Sequence, residues 1–169
     1  MDRKIYQRLT ARELKGRKVR SLRALGNSLG TVPEGTIFTR RIAGVDFGSQ
    51  SPTAIVEVRL DAYNRAWVME RFYKRECRDD EFVSACAELV ASGVHRFFCD
   101  PSGKDRIAWM NTACQIPAAR ARSNSLEKRE KVIRTRLAND SLIIVPPSPN
   151  LIQELSGLAW AHSRGRDLE

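Results

Sequence analysis

The sequence predicts an α/β domain. A mixed β-sheet opens with a three-strand antiparallel meander, continues through α/β crossovers and carries helices on its faces. Three observations lead there. Residues 41–47, 53–60 and 65–74 have strand texture and are joined by short loops. Residues 79–92 then switch to a helical period. After them, short apolar runs alternate with helical segments as far as residue 158.

Each element has its own reason. RIAGVDF (41–47) is an apolar run ending at a carboxylate, and TAIVEVRL (53–60) is rich in β-branched residues that alternate around Glu57 and Arg59. Asp61-Ala62-Tyr63-Asn64 reads as the hairpin loop into RAWVMERFYK (65–74). Over 79–92, Phe82, Cys86, Leu89 and Val90 share one helical face, Asp79 or Asp80 can cap the start, and Gly93 ends it. HRFFCD (95–100) is a short buried strand that again ends in a carboxylate. Residues 103–113 are helical, and Ile116 is expected in a short strand. Residues 125–138 form a charged helix capped by Ser125, with Leu126, Ile133 and Leu137 inward. Leu142–Val145 is a strand stopped by Pro146-Pro147, and 149–158 is a last helix through Leu151, Ile152 and Leu155. Residues 3–26 could make a ragged basic helix, so 1–38 is expected as an arm or linker and 39–169 as the folded domain.

Composition narrows the partners. No apolar stretch approaches the roughly 20 residues of a membrane helix, and the N-terminus lacks the apolar core of a secretory signal. Cys77, Cys86, Cys99 and Cys114 form no C-x-x-C pair, which suits reduced thiols in a cytoplasm-like compartment. The net charge of +9 is uneven: residues 1–40 hold ten Lys/Arg against three acids, and 117–137 hold seven against two. A solvated surface explains either block alone. Both together, around a nearly neutral body, point to a polyanion such as nucleic acid.

The chemistry is expected at two strand ends. Asp46 closes the first strand and Asp100 closes the first strand after the meander. If those strands are parallel neighbours, both carboxylates emerge at one sheet edge, where they repel unless a cation lies between them. Oxygen-only ligands favour Mg²⁺ or Mn²⁺. Gly44 and Gly48 flank Asp46 and allow close approach by a backbone, a phosphate or a metal-bound ligand. Two-metal phosphodiester hydrolysis fits this arrangement. An Asp at a strand end is as often a cap or turn former, so it is the pair, in this β-order and beside basic blocks, that favours catalysis.

GVDFGSQSPTAIVEV, followed by a meander, a helix and HRFFCDPSG, resembles the nuclease domain of phage terminase large subunits. The resemblance continues through NSLEKREKVIRTRLANDSLIIVPPSPNLIQELSGLAW, and VPEGTIFTRR is similar to the linker entering that domain. It covers roughly residues 31–163, and the ordered series is more specific than any single motif. It implies an RNase H-like fold, a Mg²⁺- or Mn²⁺-dependent endonuclease with two ions, and Asp46 and Asp100 as metal-binding catalytic carboxylates. It also implies action on double-stranded DNA during viral packaging, in an infected or prophage-carrying bacterial cytoplasm. A terminase ATPase domain, a small terminase subunit and a portal would be partners, and no membrane would be involved. A third acid is implied on a later helix of Asp-Ala-x-x-Tyr character. No such stretch occurs through Glu169, and Asp167 and Glu169 precede its expected start. No G-x-x-x-x-G-K-[ST] loop occurs either, so the expectation is a nuclease module without its ATPase domain and incomplete at its C-terminal end.

Other residues carry weaker expectations. Lys104 could neutralise a scissile phosphate. Arg120, Arg122, Lys128, Arg129, Lys131 and Arg134 are candidate DNA-backbone contacts, which position a duplex without reading its sequence. Ser49 and Ser51 could touch a phosphate, though turn residues are commoner. Asp79, Asp80 and Glu81 suit a solvated helix start, Glu88 is a poor catalytic candidate, and His95 and His162 lack further ligands. Trp67, Trp109 and Trp160 suit packing. Three alternatives stay open: a DNA-binding or assembly module with a vestigial site, a Holliday-junction resolvase, and a fragment of an actin- or Hsp70-like ATPase, whose first phosphate loop GVDFGSQSPTAIV also resembles.

Overall fold

The computed structural model describes residues 30–48, 50–122 and 126–155. The basic helix expected over 3–26, the Ser125 cap, Ser49 and everything after residue 155, including Trp160, His162, Asp167 and Glu169, lie outside the described residues.

The meander forms as the alternation demands. β1 (Phe38–Asp46), β2 (Thr53–Asp61) and β3 (Ala66–Lys74) pair antiparallel, with Val45 opposite Ile55 and Val58 opposite Val68. At the β2–β3 hairpin, Asp61 Oδ1 accepts the backbone N–H groups of Tyr63 and Arg65, both at 2.9 Å. Asn64 takes a left-handed φ of 59°, which its short polar side chain tolerates.

α1 (Asp79–Ala91) buries Phe82, Cys86 and Leu89. Its N-cap is Arg78 rather than Asp79 or Asp80, and the Arg78 backbone N–H donates to Glu81 Oε2 at 3.2 Å. The chain leaves through Gly93, whose φ of +99° suits glycine. β4 (Phe97–Cys99) then pairs parallel to β1. α2 (Lys104–Thr112) leads to β5 (Ala118–Arg120), parallel to β4, and α3 (Leu126–Ala138) leads to β6 (Leu142–Ile144), parallel to β3. Residues 149–155 are helical. The sheet order is β5-β4-β1-β2-β3-β6.

Two expectations need correction. Ile116 is buried but not in a strand. Gln115 has a left-handed φ of 55° and the Ile116 N–H bonds back to the Met110 carbonyl at 2.8 Å, so pairing resumes only after Pro117. The first strand runs over Phe38–Asp46 rather than 41–47, and the Gly30 N–H donates to the Ile144 carbonyl at 3.1 Å.

The sheet has two covered faces. On one, Ala43, Val45, Ile55, Phe97 and Cys99 pack with α1 and α2 through Phe82, Cys86, Leu89, Ile107 and Met110, with Trp109 partly buried beside them. On the other, Ala66, Val68, Leu142 and Ile144 pack with Ile133 and Leu137 of α3 and with Leu151, Ile152 and Leu155. The Glu70 carboxylate fixes the start of that last helix, accepting the Leu151 N–H at 2.8 Å and the Asn150 amide at 2.6 Å. Among the described residues, no helix is long and apolar enough to cross a membrane.

Candidate functional site

The parallel pairing of β1 with β4 sets the site. Ala43 pairs with Phe97, Gly44 with Phe98 and Val45 with Cys99, so Asp46 and Asp100 are the next residues on adjacent strands. Paired residues share a sheet face, and the face alternates along a strand. Val45 and Cys99 therefore enter the core under α1 and α2, while Gly44, Phe98, Asp46 and Asp100 belong to the opposite face. There they line a cleft of about 470 Å³ together with Pro101, Ala121, Arg122 and Arg129. The two acids thus come to one edge, in a cleft that Arg122 and Arg129 also line.

Asp46 is exposed and Asp100 half-buried. Asp100 Oδ1 accepts the Ser102 hydroxyl at 2.6 Å and the Ser102 N–H at 2.8 Å. The Ser102 bonds, with a smaller contribution from Arg129, hold the Asp100 carboxyl below the ordinary carboxylate range. It is anionic at neutral pH.

The two glycines beside Asp46 act differently. A Cβ on Gly48 would collide with the backbone of Ser51 and Pro52, so this glycine lets the β1–β2 loop fold back on itself. Among the described residues, a Cβ on Gly44 would meet nothing within 4 Å. Its open side is the floor of the cleft.

Asp46 also borders a second cleft of about 260 Å³, lined by Ser51, Pro52, Ala54, Val56 and Glu154. Glu154 Oε1 accepts the Tyr73 hydroxyl at 2.8 Å, and this bond raises the Tyr73 pKa. Sequence reasoning missed Glu154, which lies on a helix with no motif of its own. It also missed Phe98, although alternation in HRFFCD already separates Phe98 and Asp100 from the buried Phe97 and Cys99.

Of the basic candidates, Arg122 and Arg129 line the main cleft. Lys128, Lys131 and Arg134 are exposed on α3, and Arg134 pairs with Glu130. Arg120 is exposed at the end of the edge strand β5. Lys104 is exposed at the start of α2 and does not line the cleft. Arg136 has a structural task, donating to the Asn64 carbonyl at 2.9 Å and so tying α3 to the β2–β3 hairpin. Glu88 is exposed on α1, which covers the other face of the sheet. His95 is exposed before β4. Among the described residues, no group of three or more His, Cys, Asp and Glu gathers as a metal cage.

No family model and no curated protein matches the sequence. Solved structures do match the fold. The large terminase of a thermophilic bacteriophage, in complex with ADP, aligns with a TM-score of 0.64 at 18% identity, over 76% of this chain and 33% of that one. The chain thus spans about a third of that protein's length. The large terminase (g2p) nuclease domain of bacteriophage SPP1, with bound Mn, gives 0.59 at 17% identity, over 76% and 77% of the two chains. The P22 large terminase nuclease domain gives 0.55 at 14% identity, over 76% and 71%. The mixed sheet, its helices and these alignments agree: the chain has the RNase H-like fold of the nuclease domains of phage large terminases.

Proposed function

We propose that the chain is a metal-dependent DNA endonuclease domain that hydrolyses phosphodiester bonds during viral DNA packaging. One observation carries this reading: Asp46 and Asp100 stand next in register on parallel neighbours, in a cleft that also presents Arg122 and Arg129. The residues fit Mg²⁺ or Mn²⁺. Both donors are carboxylates, anionic at neutral pH, and the Ser102 bonds lower the Asp100 pKa further. Two such ions, when bound, would activate a water and stabilise the leaving oxygen. Asp46 and Asp100 would hold them, and Arg122 and Arg129 would draw in and orient the phosphate. Double-stranded DNA is the proposed substrate, and a packaging ATPase, a small terminase subunit and a portal are the proposed partners.

Plasmid nicking tests the reading. The purified chain with Mn²⁺ or Mg²⁺ is expected to nick supercoiled DNA, EDTA to stop it, and Asp46→Asn and Asp100→Asn each to lower the rate by at least about a hundredfold, since metal and acid–base steps of this kind carry such factors. Nicking unaffected by both variants would refute it. A second reading rests on the two-carboxylate set among the described residues. Salt-sensitive DNA binding without cleavage, retained in both variants, would favour a binding module with a vestigial site.

A further inference from the structure

Phe98 is a large apolar side chain left 39% exposed, and its place is the floor of the cleft that holds both carboxylates. Its register partner on β1 is Gly44. Gly44 lies in a regular strand without a left-handed φ, and an added Cβ would meet no atom of the described residues within 4 Å. Neither backbone strain nor packing among the described residues calls for glycine there. The pair therefore leaves a flat, open strip beside an aromatic ring. α3 and residues 149–155 cover the β2, β3 and β6 part of this face. Asp46 and Asp100 lie two residues further along the same strands, about 7 Å from the Gly44–Phe98 pair at the usual strand rise. That is one nucleotide's reach. Arg122 and Arg129 border the same space and supply the charge that attracts a phosphate backbone.

We infer that Phe98, with Gly44 as its clearance, is a stacking platform for an unpaired nucleobase next to the phosphate held at Asp46 and Asp100. Inside intact duplex both faces of a base are covered by its neighbours, so a protein ring can stack only on a base that is frayed, flipped or single-stranded. The site would then act on double-stranded DNA where it is frayed or locally melted, and would hold a short single strand more tightly than a blunt duplex. This rests on the endonuclease reading above and names its substrate class.

The test uses the full chain and 12-nucleotide probes, one single-stranded and carrying 2-aminopurine, the other a blunt duplex of matching sequence. Wild type is expected to favour the single strand and to change the 2-aminopurine emission as the base leaves its neighbours for the Phe98 ring. Phe98→Ala is expected to lower single-strand affinity roughly tenfold, the scale of one base–aromatic stack, to abolish the emission change and to weaken duplex binding much less. Phe98→Trp is expected to retain both. Unchanged single-strand binding in Phe98→Ala would overturn the inference, as would equal loss on both probes. So would loss of concentration-dependent self-association in place of DNA binding, which would make the strip a protein-docking face. Stacking without metal-dependent nicking would refute the endonuclease reading alone, and metal-dependent nicking without stacking would refute this inference alone.

Discussion

Glu57 points into the middle of the sheet with none of its surface exposed and gathers three guanidinium groups. Arg41 donates to its Oε1 at 2.9 Å, Arg59 Nε to its Oε1 at 2.7 Å and Arg71 Nε to its Oε2 at 2.7 Å. Burial alone would raise its pKa. The bonds from Arg59, Arg71 and Arg41 outweigh burial and bring it down to about 2 from an ordinary 4.5. Asp61 behaves alike: burial opposes its charge, yet the Trp67 indole N–H, the Arg65 N–H and guanidinium and the Tyr63 N–H bring it to about 2. A depressed folded-state pKa stabilises the fold above the unfolded value, and that stability is lost as pH falls from about 4.5 toward 2. The thermal midpoint is therefore expected to drop steeply across that window. Glu57→Gln should cost about 3 kcal/mol at neutral pH, at the low end for a broken buried pair because the arginines reach water, and should flatten the acid limb. Thermal melts from pH 7 to pH 2.5 check both, and identical pH profiles would refute the account. The sequence showed Glu57 only as a polar position in an alternating strand. Its three partners come from β1, β2 itself and β3, and only the antiparallel register brings them together.

At the scale of elements, the meander and the helices were legible because each is long enough to show its period. β1, β2 and β3 have nine residues each, and α1 has thirteen. The three-residue strands were harder. β4 and β6 could be seen because a carboxylate or prolines stopped an apolar run, whereas β5 (Ala118–Arg120) has no such run and the apolar signal fell on Ile116 instead. The placing of Asp46 beside Asp100 could be reasoned from a parallel first and fourth strand, but the joining of β6 to β3 on the far side could not. The contribution of α3 is electrostatic. Of its expected DNA contacts, Arg129 borders the cleft while Lys131 and Arg134 face outward. Arg129→Ala should weaken DNA binding and reduce the slope of log affinity against log salt by about 1, as expected for one lost phosphate contact. Binding titrations at several salt concentrations check this, and an unchanged slope would remove Arg129 from the interface.

Across the whole molecule, β1 is the seam. It pairs antiparallel with β2 on one side and parallel with β4 on the other. β2 and β3 are close to β1 in sequence and joined to it by short hairpin connections, but bringing Asp100 beside Asp46 closes a separation of 54 residues through a ladder only three residues long. Short-range pairings form with little loop entropy to overcome, and long-range ones wait until other contacts reward them. The two carboxylates therefore keep a clock as well as a site. During refolding, pulsed hydrogen exchange should find the amides of β1–β3 protected before those of Phe97–Cys99. Simultaneous protection would refute that order. A chain caught halfway would then hold Asp46 in place with no Asp100 beside it, so the carboxylate pair comes into being only as folding finishes.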